Sequence, residues 1–125
     1  MNFWRSNCSP CIAEIDALNT IYRKLKDRED FIFISFTPDD PELIDMLIDR
    51  HDIKFPVLSL SEKYVKTIKF VKGYPTSLIL NEKGEVIYSR PGGSSSEKDA
   101  TKIIKEEIFP QIKLALEHKP LKVYY

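Results

Sequence analysis

Cys8 and Cys11 are the only cysteines in the 125-residue chain, and they form a single Cys-Ser-Pro-Cys. In such a pair the thiolate form of one cysteine attacks a disulfide, and the other can then close a new one on it. A disulfide-stapled secreted mini-domain usually needs four or more cysteines. A closed zinc site needs four ligands, and the two histidines, His51 and His118, lie far apart without a short-spaced partner. Neither metal nor cofactor is implied. The pair is therefore either redox-active or simply packed at a helix start.

The elements that must position it can be read from spacing. Cys11, Ile15, Leu18, Tyr22 and Leu25 form one apolar stripe, which predicts a helix from Ser9 to about Lys26 with Cys11 facing inward. Pro10 suits the first turn, where its missing N–H is no loss. Cys8 then lies where the chain enters the helix. There, unpaired N–H groups and about half a positive charge stabilise a thiolate. Cys8 is the candidate attacking sulfur, with an expected pKa below the ~8.5 of a free cysteine, and Cys11 the candidate resolving one.

Before the pair, Met1-Asn2-Phe3-Trp4 reads as the end of a strand. Phe31 to Phe36 reads as a strand covered on both faces. Asp40-Pro41 suggests an N-cap and first helical residue, followed by an inner face of Ile44, Leu47, Ile48 and His51. Phe55 to Leu58 is a short extended piece, and a short helix is expected from Ser61 to about Phe70. Thr76–Leu80 and Glu85–Ser89 form a hairpin around Gly84. After the loop Pro91–Ser96, a last helix begins near Ser96 with a capping box to Asp99 and kinks at Pro110. His51 and His118 are expected near helix C-termini, without a catalytic role. Strands joined by helices imply parallel pairs, and the hairpin adds an antiparallel edge. The expected architecture is a single three-layer α/β domain, residues 1–125, with a mixed central sheet.

The stretch from Asn2 to Cys11 resembles the active-site segment of thioredoxin-like proteins. Ile12 to Leu18 resembles most the TlpA/ResA branch, the extracytoplasmic thiol–disulfide oxidoreductases. Gly73-Tyr74-Pro75-Thr76 and the strand after it resemble that family's cis-proline loop, and Asn81 to Val86 its hairpin. The resemblance implies a thioredoxin-like fold, Cys8 as nucleophile and Cys11 as resolving thiol. It implies a cis Pro75 beside the disulfide, with the backbone of Tyr74 open to an extended substrate. Glu14 matches a carboxylate that this branch keeps near the cysteines. It could relay a proton to the resolving sulfur, or merely complement the helix dipole. Trp4 is expected to pack beneath the site.

Two departures matter. Asn7 stands where thioredoxins usually carry Trp before the first cysteine, which removes an apolar cover and supplies an amide to a substrate. Asn2 stands where cytosolic thioredoxins carry a buried Asp, so acid–base work falls to Glu14. The short opening strand suggests an N-terminal strand that is truncated, with one or two upstream strands and a leader missing. The tail Leu121–Tyr125 is expected to fill the resulting gap in the sheet, in cis or from a second copy.

Lysine plus arginine and aspartate plus glutamate number 19 each, so the net charge is zero. That argues against nucleic-acid binding through a broad basic field. No apolar run reaches the ~18 residues a membrane helix needs. The expected function is exchange of disulfides with protein substrates, as a reductant fed by an upstream electron donor. The expected oligomeric state is a monomer or weak dimer. The branch resembled implies residence in the cell envelope or periplasm. One alternative is a redox-inactive binding module that holds extended peptides on the cis-proline loop. A thiol peroxidase is disfavoured, because Arg5 stands where the related peroxidases place a Thr three residues before the reactive cysteine.

Overall fold

A computed structural model describes residues 1–117. Five strands form one mixed sheet: β1 (Asn2–Phe3), β2 (Ser35–Thr37), β3 (Val57–Ser59), β4 (Thr76–Leu80) and β5 (Val86–Pro91), in the order β3-β2-β1-β4-β5. β1 runs parallel to β2 and antiparallel to β4, with Asn2 opposite both Ser35 and Ser77. β3 pairs parallel with β2, and β5 antiparallel with β4. The expected α/β architecture with a mixed central sheet is what the chain adopts.

Alternation along β1 sorts the core. Trp4 packs with Cys11, Ile15, Leu18, Phe55, Ile104 and Ile108 in one cluster. Phe3 points to the opposite face and packs with Val65, Val71 and Leu78. The larger cluster is built from α1 (Ser9–Ala13), α2 (Ile15–Leu25), α3 (Pro41–His51) and the C-terminal helical run. α4 (Glu62–Val65) belongs to the smaller one.

Several expected elements differ in detail. The first helix is interrupted at Glu14, whose φ of −95° and ψ of −4° end α1 and open α2. The apolar run from Phe31 forms a ladder only from Ser35, and Ile32 is 78% exposed instead of covered. β formers need a partner backbone, and β1 pairs only Asn2 with Ser35 and Phe3 with Phe36. Phe33 still stacks on Phe55 at 4.8 Å. An apolar cleft of about 890 Å³ lies beside this segment, lined among others by Phe31, Ile34, Leu80, Ile108 and Leu116. Asp40 precedes α3 without a side-chain capping bond. α4 stops at Val65 because tighter i→i−3 bonds replace the helical ones, from Thr67 to Tyr64 and from Ile68 to Val65.

The hairpin turns through Gly84 at φ 81°, and Ser96 Oγ accepts the Asp99 N–H at 3.3 Å. α5 (Glu97–Ile103) then passes into a π turn, Ile104–Ile108, before α6 (Phe109–Glu117). Pro110 lacks an N–H and would crowd the carbonyl of Glu106, and the wider turn accommodates both. The expected Pro110 kink is therefore a change of helical pitch just upstream. His118 and the tail from Leu121 to Tyr125 lie outside the described residues.

Candidate active site

Cys8 is the N-cap of α1, in extended conformation, with Pro10 in the first turn. Its Sγ accepts the Cys11 N–H at 3.3 Å, and the Ile12 N–H bonds the Cys8 carbonyl at 3.2 Å. The two cysteines are joined in a disulfide with their Cα atoms 5.2 Å apart. The sulfurs are not equivalent. Cys8 is half-buried, whereas Cys11 is 1% exposed and belongs to the main core. Trp4, 2% exposed, packs in the same cluster and donates through Nε1 to Ser35 Oγ at 3.2 Å, so the indole lies beneath the site.

The loop leading into Cys8 is pinned by a carboxylate that the motif does not contain. Asp39, just beyond β2, accepts Ser6 N–H and Ser6 Oγ–H at 2.8 Å each, and Thr37 Oγ–H at 2.6 Å. Thr37 is fully buried, so the clamp is anchored in the sheet. Asn7 is exposed, immediately before Cys8.

On the other side, the Tyr74–Pro75 peptide bond is cis, and the Pro75 ring is buried. Gly92 N–H donates to the Pro75 carbonyl at 2.7 Å, which ties the loop after β5 to the proline. Gly93 then stands where an added side chain would press on its neighbours. A Cβ there would lie 3.0 Å from Pro75 Cγ and 3.5 Å from both Pro10 Cβ and Glu14 Oε2. The Gly-Gly pair, read from sequence only as loop, thus closes the site where the dithiol turn meets the cis-proline loop. Tyr74 donates its hydroxyl to Glu62 Oε2 at 3.1 Å, and Arg5 covers its ring at 5.5 Å. Burial and then the Glu62 hydrogen bond push the Tyr74 phenol up to about 12.

Glu14 is the buried titratable group of the site, 2% exposed at the break between α1 and α2. Its Oε1 accepts Asn2 Nδ2–H at 3.0 Å, and the same amide donates to Ser77 Oγ at 3.1 Å. Burial raises its carboxyl to about 7, against the smaller lowering effects of the Asn2 hydrogen bond and of Arg90. That value suits a group that takes and returns protons near neutral pH.

The sequence-derived residues Cys8, Cys11, Pro10, Trp4, Glu14, Tyr74 and Pro75 thus converge on one region. Sequence reasoning missed the Asp39 clamp, Ser77 and Gly93. Asp39 follows the second strand, beyond the resembled motifs. Its neighbour Asp40 drew the capping assignment instead.

Comparison with known proteins gives a consistent picture. The family model described as Redoxin matches residues 1–104. The thiol-disulfide oxidoreductase ResA of Halalkalibacterium halodurans is 27% identical over 110 residues, 86% of this chain and 62% of that protein. The thioredoxin-like protein YneN of Bacillus subtilis is 30% identical over 101 residues, 79% of this chain and 58% of that protein. The chain therefore spans about 60% of the length of these relatives. A structure from Chlorobium tepidum assigned as a thiol:disulfide interchange protein DsbE superposes with a TM-score of 0.77 at 24% identity. The match covers 92% of this chain and 77% of the other, and it bears on the fold.

Proposed function

The chain belongs to the Redoxin family, and from that premise we propose that it is a thiol–disulfide oxidoreductase acting on protein disulfides as a reductant. The observation that carries the reading is the Cys8–Cys11 disulfide at the start of α1, with the Cys11 N–H on Cys8 Sγ. Relatives named as thiol-disulfide oxidoreductases support it. A pair already in disulfide reach does not favour the alternative of a redox-inactive peptide-binding module.

In the proposed reaction the Cys8 thiolate attacks one sulfur of a substrate disulfide. The substrate S–S bond breaks, one substrate sulfur leaves as a thiolate, and Cys8 is left in a mixed disulfide. Cys11 gives its proton to Glu14 and attacks Cys8 Sγ. The mixed disulfide breaks, the second substrate sulfur leaves as a thiolate, and the Cys8–Cys11 disulfide forms. Two electrons have passed to the substrate, and an upstream dithiol donor returns them. Tyr74, Pro75 and Asn7 would contact an extended substrate segment that reaches Cys8. Trp4 and Pro10 support the turn. Residence in the cell envelope is the location that the resembled branch favours.

The test is insulin reduction with dithiothreitol by the wild type and Cys8→Ala. The wild type is expected to accelerate the reaction over the uncatalysed rate, and the variant is not. Equal rates for both proteins would overturn the reading.

A further inference from the structure

We propose that Asn2 is a positioning residue for Glu14. Its side-chain amide holds Oε1, so that Oε2, on the Pro10–Pro75 side, is the oxygen that gains and loses the proton. This deepens the acid–base reading of Glu14 and rests on it.

Asn2 is held in the middle of the sheet, its backbone opposite Ser35 on one side and Ser77 on the other. Both protons of its amide nitrogen are used, one on Glu14 Oε1 and one on Ser77 Oγ. The amide cannot swing away without losing one of these bonds in a buried setting, where an unmade bond is costly. A neutral carboxyl has one O–H to donate, and it accepts best at its carbonyl oxygen. An N–H fixed on Oε1 makes Oε1 that carbonyl oxygen and puts the hydroxyl on Oε2. Oε2 is also the oxygen beside Gly93, in the gap shared with Pro75 and Pro10 of the dithiol turn. A primary amide does not titrate in this range, so it orients the carboxyl without competing for its proton. An aspartate in its place would compete.

The groups facing Glu14 come from several elements. Asn2 on β1 and Ser77 on β4 are uncharged, Gly93 brings only backbone, and the cysteines on α1 are paired. Arg90 on β5 is the charged residue whose field reaches the carboxyl. Asn2 and Arg90 both favour the anion, so removing the amide moves the midpoint upward.

The test is an NMR titration of the oxidised protein, in which the paired cysteines do not titrate, following the Glu14 side-chain carboxyl carbon and the Asn2 side-chain amide, alongside the pH profile of disulfide exchange. In the wild type the Asn2 amide is expected to shift with the Glu14 midpoint. Asn2→Leu, which deletes both donors at similar volume, is expected to raise that midpoint by about half a unit or more and to move the exchange profile with it. Asn2→Asp is expected to replace the single step by two coupled ones. A wild-type amide that does not follow Glu14 overturns the proposal, and this readout needs no variant to fold. An unmoved midpoint in a folded Asn2→Leu overturns it as well. Glu14→Gln separates the two levels. If it leaves the exchange profile unchanged, the acid–base reading of Glu14 itself fails. If it flattens the profile while Asn2→Leu does nothing, only the role of Asn2 fails.

Discussion

Glu14 comes after the cysteine turn and Asp39 grips the residues before it, yet their surroundings treat the two carboxylates differently. Asp39 is half-buried and accepts three donors from Ser6 and Thr37. Such a set uses the carboxylate as a mechanical pin on the loop. Glu14 is almost fully buried with one side-chain donor, from Asn2, and burial lifts its carboxyl to about 7. The chain thus fixes the entry to Cys8 with one acid and buries the other at the break between α1 and α2, its carboxyl raised to about 7. Solvation and donor count divide the labour between them.

The largest effect that would sharpen this contrast is in stability against pH. Glu14 is raised from 4.5 to about 7 in the fold, so between those values the folded protein binds more protons than the unfolded chain. Stability therefore falls as pH rises through that window, by up to roughly 3 kcal/mol from this one group. Glu14→Gln is expected to remove that slope, read by denaturant unfolding at pH 4.5 and 7.5. A wild-type slope retained in the variant would break the contrast.

Next in size is Asp39→Ala, which strands the Ser6 N–H and two hydroxyl donors. It is expected to cost about 2 kcal/mol and to slow exchange by loosening the loop into Cys8. Denaturant midpoints and insulin reduction check both effects. Unchanged exchange in this variant would mean the clamp serves stability alone. The smallest expected effect is that of Gly93→Ala. Its methyl would stand 3.0 Å from Pro75 Cγ, and relieving that contact should cost about 1 kcal/mol. A thermal unfolding scan reads it, and no loss of stability would mean the Pro75 loop yields freely.

How much of this was legible beforehand follows from where the information lies. The apolar stripe through Cys11, Ile15, Leu18 and Leu25 is a local pattern, and those residues are buried as the stripe implies. The Cys8–Cys11 and Tyr74–Pro75 motifs are local too, and the fold brings them to one region. Partner-dependent features were harder to see. Phe31 to Ile34 have the composition of a strand, but ladder formation depends on β1, which supplies only two paired residues. Asp39 meets Ser6 only because β1 and β2 lie side by side, a long-range fact absent from either segment. The break at Glu14 was hidden for the same reason. Helical periodicity runs straight through it, while the buried amide of Asn2 draws its carboxyl toward the sheet.

The central claim is that Cys8, capping α1, is the sulfur that reacts first. Alkylation of the fully reduced protein across a pH series, with each cysteine followed by mass spectrometry, tests it most directly. Cys8 is expected to label ahead of Cys11 at every pH, with a midpoint below the ~8.5 of a free thiol. Labelling that begins at Cys11, or a Cys8 midpoint at or above that value, would contradict the account.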